Sequence, residues 1–544
     1  MPNFPYAFNY DEINTGVVAH AYINGPFPSV FSTLWDSINL PALWFSIVAG
    51  SLNLFGTSLV GLRVPAALFS AVTVLPLYGI VRQAWGRTAA IAGGIIFSFS
   101  AVELNYSRIT LNNIVTPFFW TVCFFFVLRG LRTRRPIDWL LAGLAGGLGE
   151  HFYYGTRLLP FILIGFMLYL LVIHWRQGWR YLGHFGILAL GYLAGFGPLL
   201  AYFNTVRPDL YFGRTHEPGA LKWDHIPTSL EDLQRMWNTL WPLMSDNLLG
   251  ISTNPARDNF YAAPMLMQAE AALLVLGVAL LIWRWRQPAA FLTLLVGFGV
   301  LFVGGTLING TPFIIHWTPA FPAFYAALAV PVGAWAAAGA KLPQRLRPLV
   351  PITLALGLCV LGGLNLYYFF QQYKARPQEE ARSAQDRAQA ALGTDYRVFD
   401  VGPSSQGWDV VSMQYFIQGQ EGQNLNTPET QIPVPGEPGK GLAFFFYWDN
   451  EVNRPIVVRA YPGGQTGEIK AQDGAHLFAT YIITPQQAQA MYGAYAQVFK
   501  PGSDQQIASG QVPLVGLLPP EVSYPLRARW IAGLYVQDAG TYRL

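Results

Sequence analysis

Residues 63–113, RVPAALFSAVTVLPLYGIVRQAWGRTAAIAGGIIFSFSAVELNYSRITLNN, decide the fold class of this chain. Two apolar runs, about 64–81 and 88–106, are joined by a short turn that carries Arg82 and Arg87. The second run ends in the polar string Glu103-Leu104-Asn105-Tyr106-Ser107-Arg108, and Asn112-Asn113 open the run that follows. Each run is close to the ~20 mostly apolar residues that a helix needs to cross a bilayer. Lipid admits only helices or closed barrels, because a backbone polar group finds no partner there. The stretch therefore reads as two membrane-spanning helices with arginines at one end and mixed polar groups at the other.

The same pattern extends in both directions. Of 544 residues, 52% are hydrophobic and 12% charged, against roughly 25% charged in an average soluble domain. The apolar runs continue to about Tyr373, and ten spans are expected: about 64–81, 88–106, 111–128, 139–155, 157–175, 181–203, 264–283, 288–307, 317–340 and 348–370. The shorter run Leu40–Phe55 contains Ser46, Gly50, Ser51 and Asn53 and fits a helix lying in the membrane interface. Alternate turns hold thirteen basic residues, from Arg82 through Arg129, Arg134, Arg176 and Arg284 to Arg347, and one acid, Asp138. By the positive-inside rule those turns are cytoplasmic. The opposite turns carry Asp11, Glu12, Asp36, Glu103 and Glu150, with Arg108 and Arg157, and include a long loop over 204–263. They face outward, and so does everything after the last span: the expected location is a multi-pass plasma membrane protein with an extracytoplasmic C-terminal domain.

Beyond the last span the chain turns polar. The stretch RPQEEARSAQDRAQAAL (376–392) reads as helix, and YRVFDVG (396–402), GLAFFFYW (441–448), PIVVRAY (455–461) and LFATYIIT (477–484) read as strands between Gly/Pro turns. The expected organisation is a first outer loop over 1–60, a membrane domain over 61–371, an extracytoplasmic α/β domain over 372–484 and the opening of a β-unit over 485–544. Cys123 and Cys359 both sit inside apolar runs, so neither a disulfide framework nor a cysteine metal site is expected. The net charge of +4 comes from arginines at span ends. A nucleic-acid surface would cluster them on one face, so nucleic acid is not an expected partner.

Chemistry is expected where polar groups collect at one depth. They collect at the outer ends: Asp11-Glu12, the string 103–108, Asn112-Asn113, Glu150-His151, Arg157, and the segment from Asn309 to His316. Span middles hold almost no ionisable residues, which argues against an ion or proton pathway. Each group also has a structural reading. An acidic pair in a loop can be solvated charge, Arg108 and Arg157 can snorkel to headgroups, Glu150 and Glu270 can be helix-end acids, and His151 with His316 has no zinc spacing. There is no GxxxxGK[ST] loop and no Asp-x-Asp pair for a metal-bound nucleotide diphosphate, so an activated donor would arrive through the membrane, with no metal and no cofactor.

The run FNYDEINTG (8–16), taken with residues 63–113, resembles the membrane glycosyltransferases of the GT-C fold, and among them the protein O-mannosyltransferase and lipid A aminoarabinose transferase group. The resemblance covers roughly 6–340 and is most specific in Asp-Glu followed by SR-x-x-x-x-N (107–113). It implies transfer of a sugar from a polyprenyl-phosphate donor to a protein, lipid or glycan acceptor at the outer membrane face, with inversion. The family's Asp-Glu falls on Asp11 and Glu12, which implies Asp11 as general base. Arg108 and Arg157 are candidates for the donor phosphate; Asn112, Asn113, Glu150, His151 and His316 for the sugar or acceptor. Two departures stand out. Asn112-Asn113 stand where many members carry a second acid, and the span expected before Asp-Glu is not in this stretch. About 20 apolar residues are therefore expected upstream. Downstream, GAYAQVF (493–499) with RARWIAGLYVQDAGTYRL (527–544) resembles the opening of a protective-antigen-type β-sandwich, or else a generic strand pair, and further strands are expected after it. The rival functions are a non-catalytic transporter or flippase of lipid-linked sugars, which would want charge inside the spans, and a ligase using a diphosphate-linked oligosaccharide, which would want more basic residues outside.

Overall fold

A computed structural model of the chain describes residues 10–25, 29–34, 39–210, 227–249, 264–307, 314–374, 384–385, 388–389, 391–402, 419–434, 437, 439–470, 474–491, 493–512, 515–516, 518–519 and 522–532. Asp36 and Asn309, both among the expected outer polar groups, lie outside the described residues. Two compact units emerge, with the boundary between Ala375 and Arg376.

The first unit is helical apart from one short antiparallel pair, β1 (Thr33–Leu34) with β2 (Leu40–Pro41). Its helices are α1 (Tyr10–Asn24), α2 (Ala42–Phe55), α3 (Leu59–Trp85), α4 (Arg87–Phe99), α5 (Ala101–Tyr106), α6 (Thr116–Thr133), α7 (Pro136–Gly149), α8 (Leu159–Ile173) and α9 (Gly178–Thr205). There follow α10 (Leu230–Asn247), α11 (Gln268–Trp283), α12 (Pro288–Phe302), α13 (Phe321–Gly339) and α14 (Leu349–Lys374). Each of the ten expected spans overlaps a helix, and 88–106 overlaps two. Among the described residues, six helical segments are long and apolar enough to cross a membrane: Leu59–Trp85, Asn112–Thr133, Tyr154–Ile173, Trp175–Thr205, Ile314–Gly339 and Leu349–Gln371. Helices α2, α4, α11 and α12 are apolar but shorter. Large apolar side chains on the outside, such as Leu75, Phe161 and Val172, are 65–73% exposed, as lipid-facing positions are.

One expected span is divided. The run 88–106 breaks at Ser100, whose ψ of 132° leaves the helical region. Side chains from distant helices take up the polar groups freed by the break. Asn365 Oδ1 on α14 accepts from the Ala101 N–H at 2.9 Å, and Ser100 Oγ meets the Tyr325 hydroxyl on α13 at 2.5 Å. Asn365 in turn donates to Glu270 at 2.9 Å, and Glu270 accepts from the Met267 N–H at the start of α11. Glu270 is thus the helix-end acid it was read as. At the opposite end of the bundle Asp138, the lone acid among the basic turns, is neutralised by Arg129 at 3.3 Å.

Glycines set the closest packing. On α7, a Cβ at Gly143 would lie 1.9 Å from the Leu188 carbonyl, and one at Gly147 would lie 2.2 Å from that of Tyr192. On α9, a Cβ at Gly191 would lie 2.3 Å from the Leu140 carbonyl oxygen, and one at Gly195 2.7 Å from that of Leu144. The two helices thus pack through reciprocal small-xxx-small pairs, the device by which helices in lipid bring their backbones together.

The second unit contains a mixed sheet of order β4-β3-β5-β7-β6, built from β3 (Tyr396–Val401), β4 (Gly422–Leu425), β5 (Gly441–Tyr447), β6 (Gln465–Lys470) and β7 (His476–Ile483). β3 runs parallel to β4 and β5, and β7 antiparallel to β5 and β6. β5 is buried over its whole length: Phe444 and Phe446 pack on one face with Phe399 and Tyr481, Phe445 and Tyr447 on the other with Val398 and Phe478. The expected strand over PIVVRAY is instead a helix, Arg454–Ala460. Val457 and Tyr461, four residues apart, are buried while Val458 and Arg459 are exposed, a helical period that six apolar or ambiguous letters in a row conceal. A further helix, Pro485–Met491, packs Ala488 against the same sheet. A smaller sheet of order β10-β8-β9 joins β8 (Ala494–Phe499), β9 (Gln506–Val512) and β10 (Arg527–Ile531). β10 is the first half of the expected strand pair; the second half lies outside the described residues.

Gly147→Ala should therefore lower stability by about 1–3 kcal/mol through overpacking against the α9 backbone. Gly197→Ala, where a Cβ meets nothing within 4 Å, should leave stability unchanged or slightly raised. Thermal unfolding in detergent separates the two. In the sheet unit, His476 sits between two carboxylates, Glu451 and, at 2.7 Å, Glu468, which hold its imidazole above the ordinary value of 6.5. This pairing contributes stability fully below about pH 6.5 and loses it as pH rises through the raised value. Amide exchange of β6 and β7 in the full chain should quicken across that rise, modestly because the site is part-exposed, and His476→Gln should flatten the trend.

Candidate active site

The site is built from the ends of helices. α1 begins at Tyr10, so Asp11 and Glu12 occupy its first turn, where carboxylates suit the positive end of the helix dipole. They were expected in a loop; the structure gives them a rigid base. α3 starts four residues before Arg63 and is capped by Ser58, whose side chain accepts from the Gly61 N–H at 3.1 Å. The segment between α5 and α6 carries Ser107, Arg108 and Thr110 and enters a 3-10 turn, Asn112–Val115.

These segments meet at Glu12. Its side chain is fully buried, and Arg63, 5% exposed, holds it through two parallel bonds, Nε to Oε1 at 2.7 Å and Nη2 to Oε2 at 2.9 Å. The Thr110 N–H adds a third at 3.2 Å, while the Thr110 hydroxyl donates to the Leu62 carbonyl at 2.7 Å. A buried carboxylate needs such pairing. Asp11 is instead half-buried, and its backbone carbonyl accepts from the Thr15 hydroxyl at 2.8 Å. The acidic pair thus divides into a dry, neutralised member and a member with access to solvent.

The second wall comes from residues 150–158. Asn112 Nδ2 donates to the Phe152 carbonyl at 3.1 Å, tying the two loops together over a floor formed by the rings of Phe69, Phe118, Phe119 and Phe152. Glu150, buried, accepts from the Tyr192 hydroxyl at 2.5 Å and feels the charge of Arg157. Arg157 lies 4.1 Å over the Tyr154 ring. His151 is buried too, with Nε2 2.9 Å from the Gly195 carbonyl. Glu150 and His151 are therefore anchored to α9 at the glycine contact, and Asn113 is buried in its turn. The 3-10 turn Ile314–Ala320, which carries His316, lies beside the turns at 112–115 and 154–158.

On the α5 side Arg108 Nη1 donates to the Leu104 carbonyl at 2.9 Å, and its guanidinium lies 5.4 Å from the Phe369 ring centroid. Glu103 is buried, with Ser70 3.5 Å away as its hydrogen-bond donor. Two participants escape a reading of the sequence: Arg63 and Thr110. Arg63 is the one basic residue at the outer start of its span, one position before the apolar run as counted. A lone guanidinium there is the signal that points to a buried partner.

Comparison with known proteins follows this geometry. Residues 40–202 match the model of a family described as dolichyl-phosphate-mannose-protein mannosyltransferase. The undecaprenyl phosphate-alpha-4-amino-4-deoxy-L-arabinose arabinosyl transferase of Pseudomonas aeruginosa (strain UCBPP-PA14) is 27% identical over 164 residues, which span 28% of this chain and 28% of that protein. The crystal structure of ArnT from Cupriavidus metallidurans in the apo state superposes with a TM-score of 0.52 at 13% identity, covering 88% of this chain and 94% of that one. The structure of the same protein bound to undecaprenyl phosphate gives 0.52 at 12% identity, with the same coverage of both chains. The chain thus has the polytopic fold of these membrane glycosyltransferases, as the Asp-Glu and SR-x-x-x-x-N resemblance implied.

Removing one partner from the Glu12–Arg63 pair should cost about 3–5 kcal/mol, because a buried charge loses its counter-ion. Arg63→Ala should show that loss in thermal unfolding. The double variant Glu12→Gln/Arg63→Gln, which buries two neutral amides, should recover much of it. Strict additivity of the single losses would mean that the two side chains are not coupled.

Proposed function

We propose that this chain is an integral membrane glycosyltransferase that moves a monosaccharide from a polyprenyl-phosphate donor to a protein, lipid or glycan acceptor at the outer membrane face. The observation that carries the reading is the division of the acidic pair. Glu12 is consumed by Arg63 and Thr110, which leaves Asp11 as the carboxylate of the pair that a substrate can reach, on a turn that Glu12 keeps from moving. The fold it shares with ArnT, and the undecaprenyl phosphate named in the ArnT complex, support a lipid-borne donor. The outer location is supported by the thirteen basic residues at the opposite helix ends. That location also leaves the C-terminal unit extracytoplasmic.

In this reaction Asp11 takes the proton of the acceptor hydroxyl as its oxygen bonds to the anomeric carbon. The bond from that carbon to the phosphate oxygen breaks through an oxocarbenium-like state, and the polyprenyl phosphate leaves with the negative charge. Attack opposite the leaving group inverts the centre. Arg108 or Arg157 stabilises the departing phosphate by charge-assisted hydrogen bonds. In this reading Asn112, Asn113 and His316, on neighbouring turns, hold sugar or acceptor. Glu150 and His151 act one step back, through their anchors on α9.

Asp11→Asn keeps size and most hydrogen bonding but cannot accept a proton. Turnover with a synthetic polyprenyl-phosphate sugar should fall by about 10²- to 10⁴-fold, while donor affinity stays near that of the unaltered protein. Arg108→Ala or Arg157→Ala should weaken donor binding together with turnover. Near-normal turnover in Asp11→Asn would remove Asp11 from the base role and turn attention to Glu103.

A further inference from the structure

Helices α7 and α9 run in the same direction, because their contacts advance together: Gly143 packs on Leu188 and Gly147 on Tyr192, four residues on in both. Their first turns therefore lie at one level. Trp139 of α7 stacks there on His184 of α9, with ring centroids 5.0 Å apart and planes 6° from parallel. The stretch from the end of α6 into α7 carries Arg132, Arg134 and Arg135, and the stretch from the end of α8 into α9 carries Arg176 and Arg180. Arg134 is near enough to Tyr181 for its charge to act on that hydroxyl. Two turns distant in sequence thus bring their guanidiniums to one place.

All five arginines are exposed. Asp138, the acid of this region, is 1% exposed and already used: Arg129 lies 3.3 Å from one carboxylate oxygen, and the Thr133 hydroxyl donates to the other at 2.5 Å. Among the described residues, none of the five has a carboxylate within ion-pair distance. Topology alone accounts for arginines at such helix ends, and Arg82 with Arg87 needs nothing more. Here, however, backbone contact between α7 and α9 holds two basic turns side by side, so their charges repel and cannot move far apart. Arg134 adds a second observation. It ends α6 in the left-handed region, at φ 60°, with its N–H bonded to the Gly130 carbonyl at 2.8 Å. Glycine takes that position with less strain, and the chain has a guanidinium there instead. Trp175 and Trp179, next in sequence to Arg176 and Arg180, are 72% and 88% exposed. Exposed tryptophan at the end of a spanning helix belongs to the headgroup zone of a bilayer.

Fixed cations at headgroup level, flanked by tryptophan, fit phosphate diesters carried by lipid. A guanidinium binds phosphate through two parallel N–H bonds, and the two turns offer two such sets. We propose that the α6–α7 and α8–α9 turns form a site for an anionic phospholipid with two phosphates in its headgroup, of the cardiolipin type. Bound there, it neutralises the paired turns and clamps α7 to α9 at the end opposite Glu150 and His151. The site is independent of the transferase reading.

Native mass spectrometry of the full chain in mild detergent tests it. Cardiolipin should bind about tenfold or more tightly than phosphatidylglycerol, and phosphatidylethanolamine more weakly than either. Arg134→Gln/Arg180→Gln should lower cardiolipin affinity about tenfold or more. Arg82→Gln/Arg87→Gln, which removes the same charge from another basic turn, should leave it unchanged. Arg134→Gly should unfold no earlier than the unaltered chain, because it relieves the left-handed residue, and should still lose affinity; it keeps the test decisive should the double variant not fold. Equal loss in both double variants means diffuse surface charge and overturns the proposal. Phosphatidylglycerol bound as tightly as cardiolipin overturns it too, and so does pyrophosphate bound as tightly without lipid, which would make the ligand a soluble diphosphate.

Discussion

A carboxylate without contact with water has to be matched where it stands, and the Glu12–Arg63 pair meets that demand with two parallel bonds and a backbone amide. The three segments that supply these groups are far apart in sequence. They converge because any other arrangement would strand a charge in a dry environment. A pair of this kind adds little net stability compared with apolar packing, but it is strict about geometry. Here the strictness falls on the turn that also carries Asp11, so a demanding interaction fixes the backbone next to the proposed base. The two adjacent acids, alike in chemistry, differ in surroundings: Glu12 is buried and paired with Arg63, and Asp11 is half-buried.

The bilayer imposes a second demand, that every backbone group be satisfied inside the protein. The break at Ser100 obeys it by borrowing Asn365 from α14 for the Ala101 N–H, while Tyr325 of α13 meets the Ser100 hydroxyl. It has an architectural result. The short α5 departs from the line of α4 and brings Glu103 and Arg108 to the polar turns. Helices that end early, as α4 and α7 do, leave polar turns at the depth where chemistry is wanted. Longer, uninterrupted spans would have carried those side chains past it.

Much of this was legible in the amino-acid order. Ten apolar runs and their basic ends mark the helices, since length and charge asymmetry are local properties. Asp11, Glu12, Asn112, Arg157 and their neighbours were picked out because polar letters at the ends of apolar runs are conspicuous, and the structure gathers most of them around common turns. What was not legible depends on partners far away. The kink in 88–106 is secured by a residue 264 positions on. Nothing in Asp-Glu says which acid is buried, because that is decided by Arg63. The run PIVVRAY is rich in β-branched letters, yet it folds as a helix because its buried positions recur every four residues.

The reciprocal glycines of α7 and α9 also bear on how the chain is assembled. Helices emerge from the insertion machinery in order, and a pair can associate once both are in the bilayer. With backbones in direct contact, α7 and α9 form a tight unit as soon as α9 is released, and α8 is carried between them as a loop that crosses the membrane. That unit already fixes Glu150 and His151 against α9, before α11 to α14 exist. One wall of the cluster is then a template on which the later helices dock, and the order of synthesis becomes part of how the site acquires its shape.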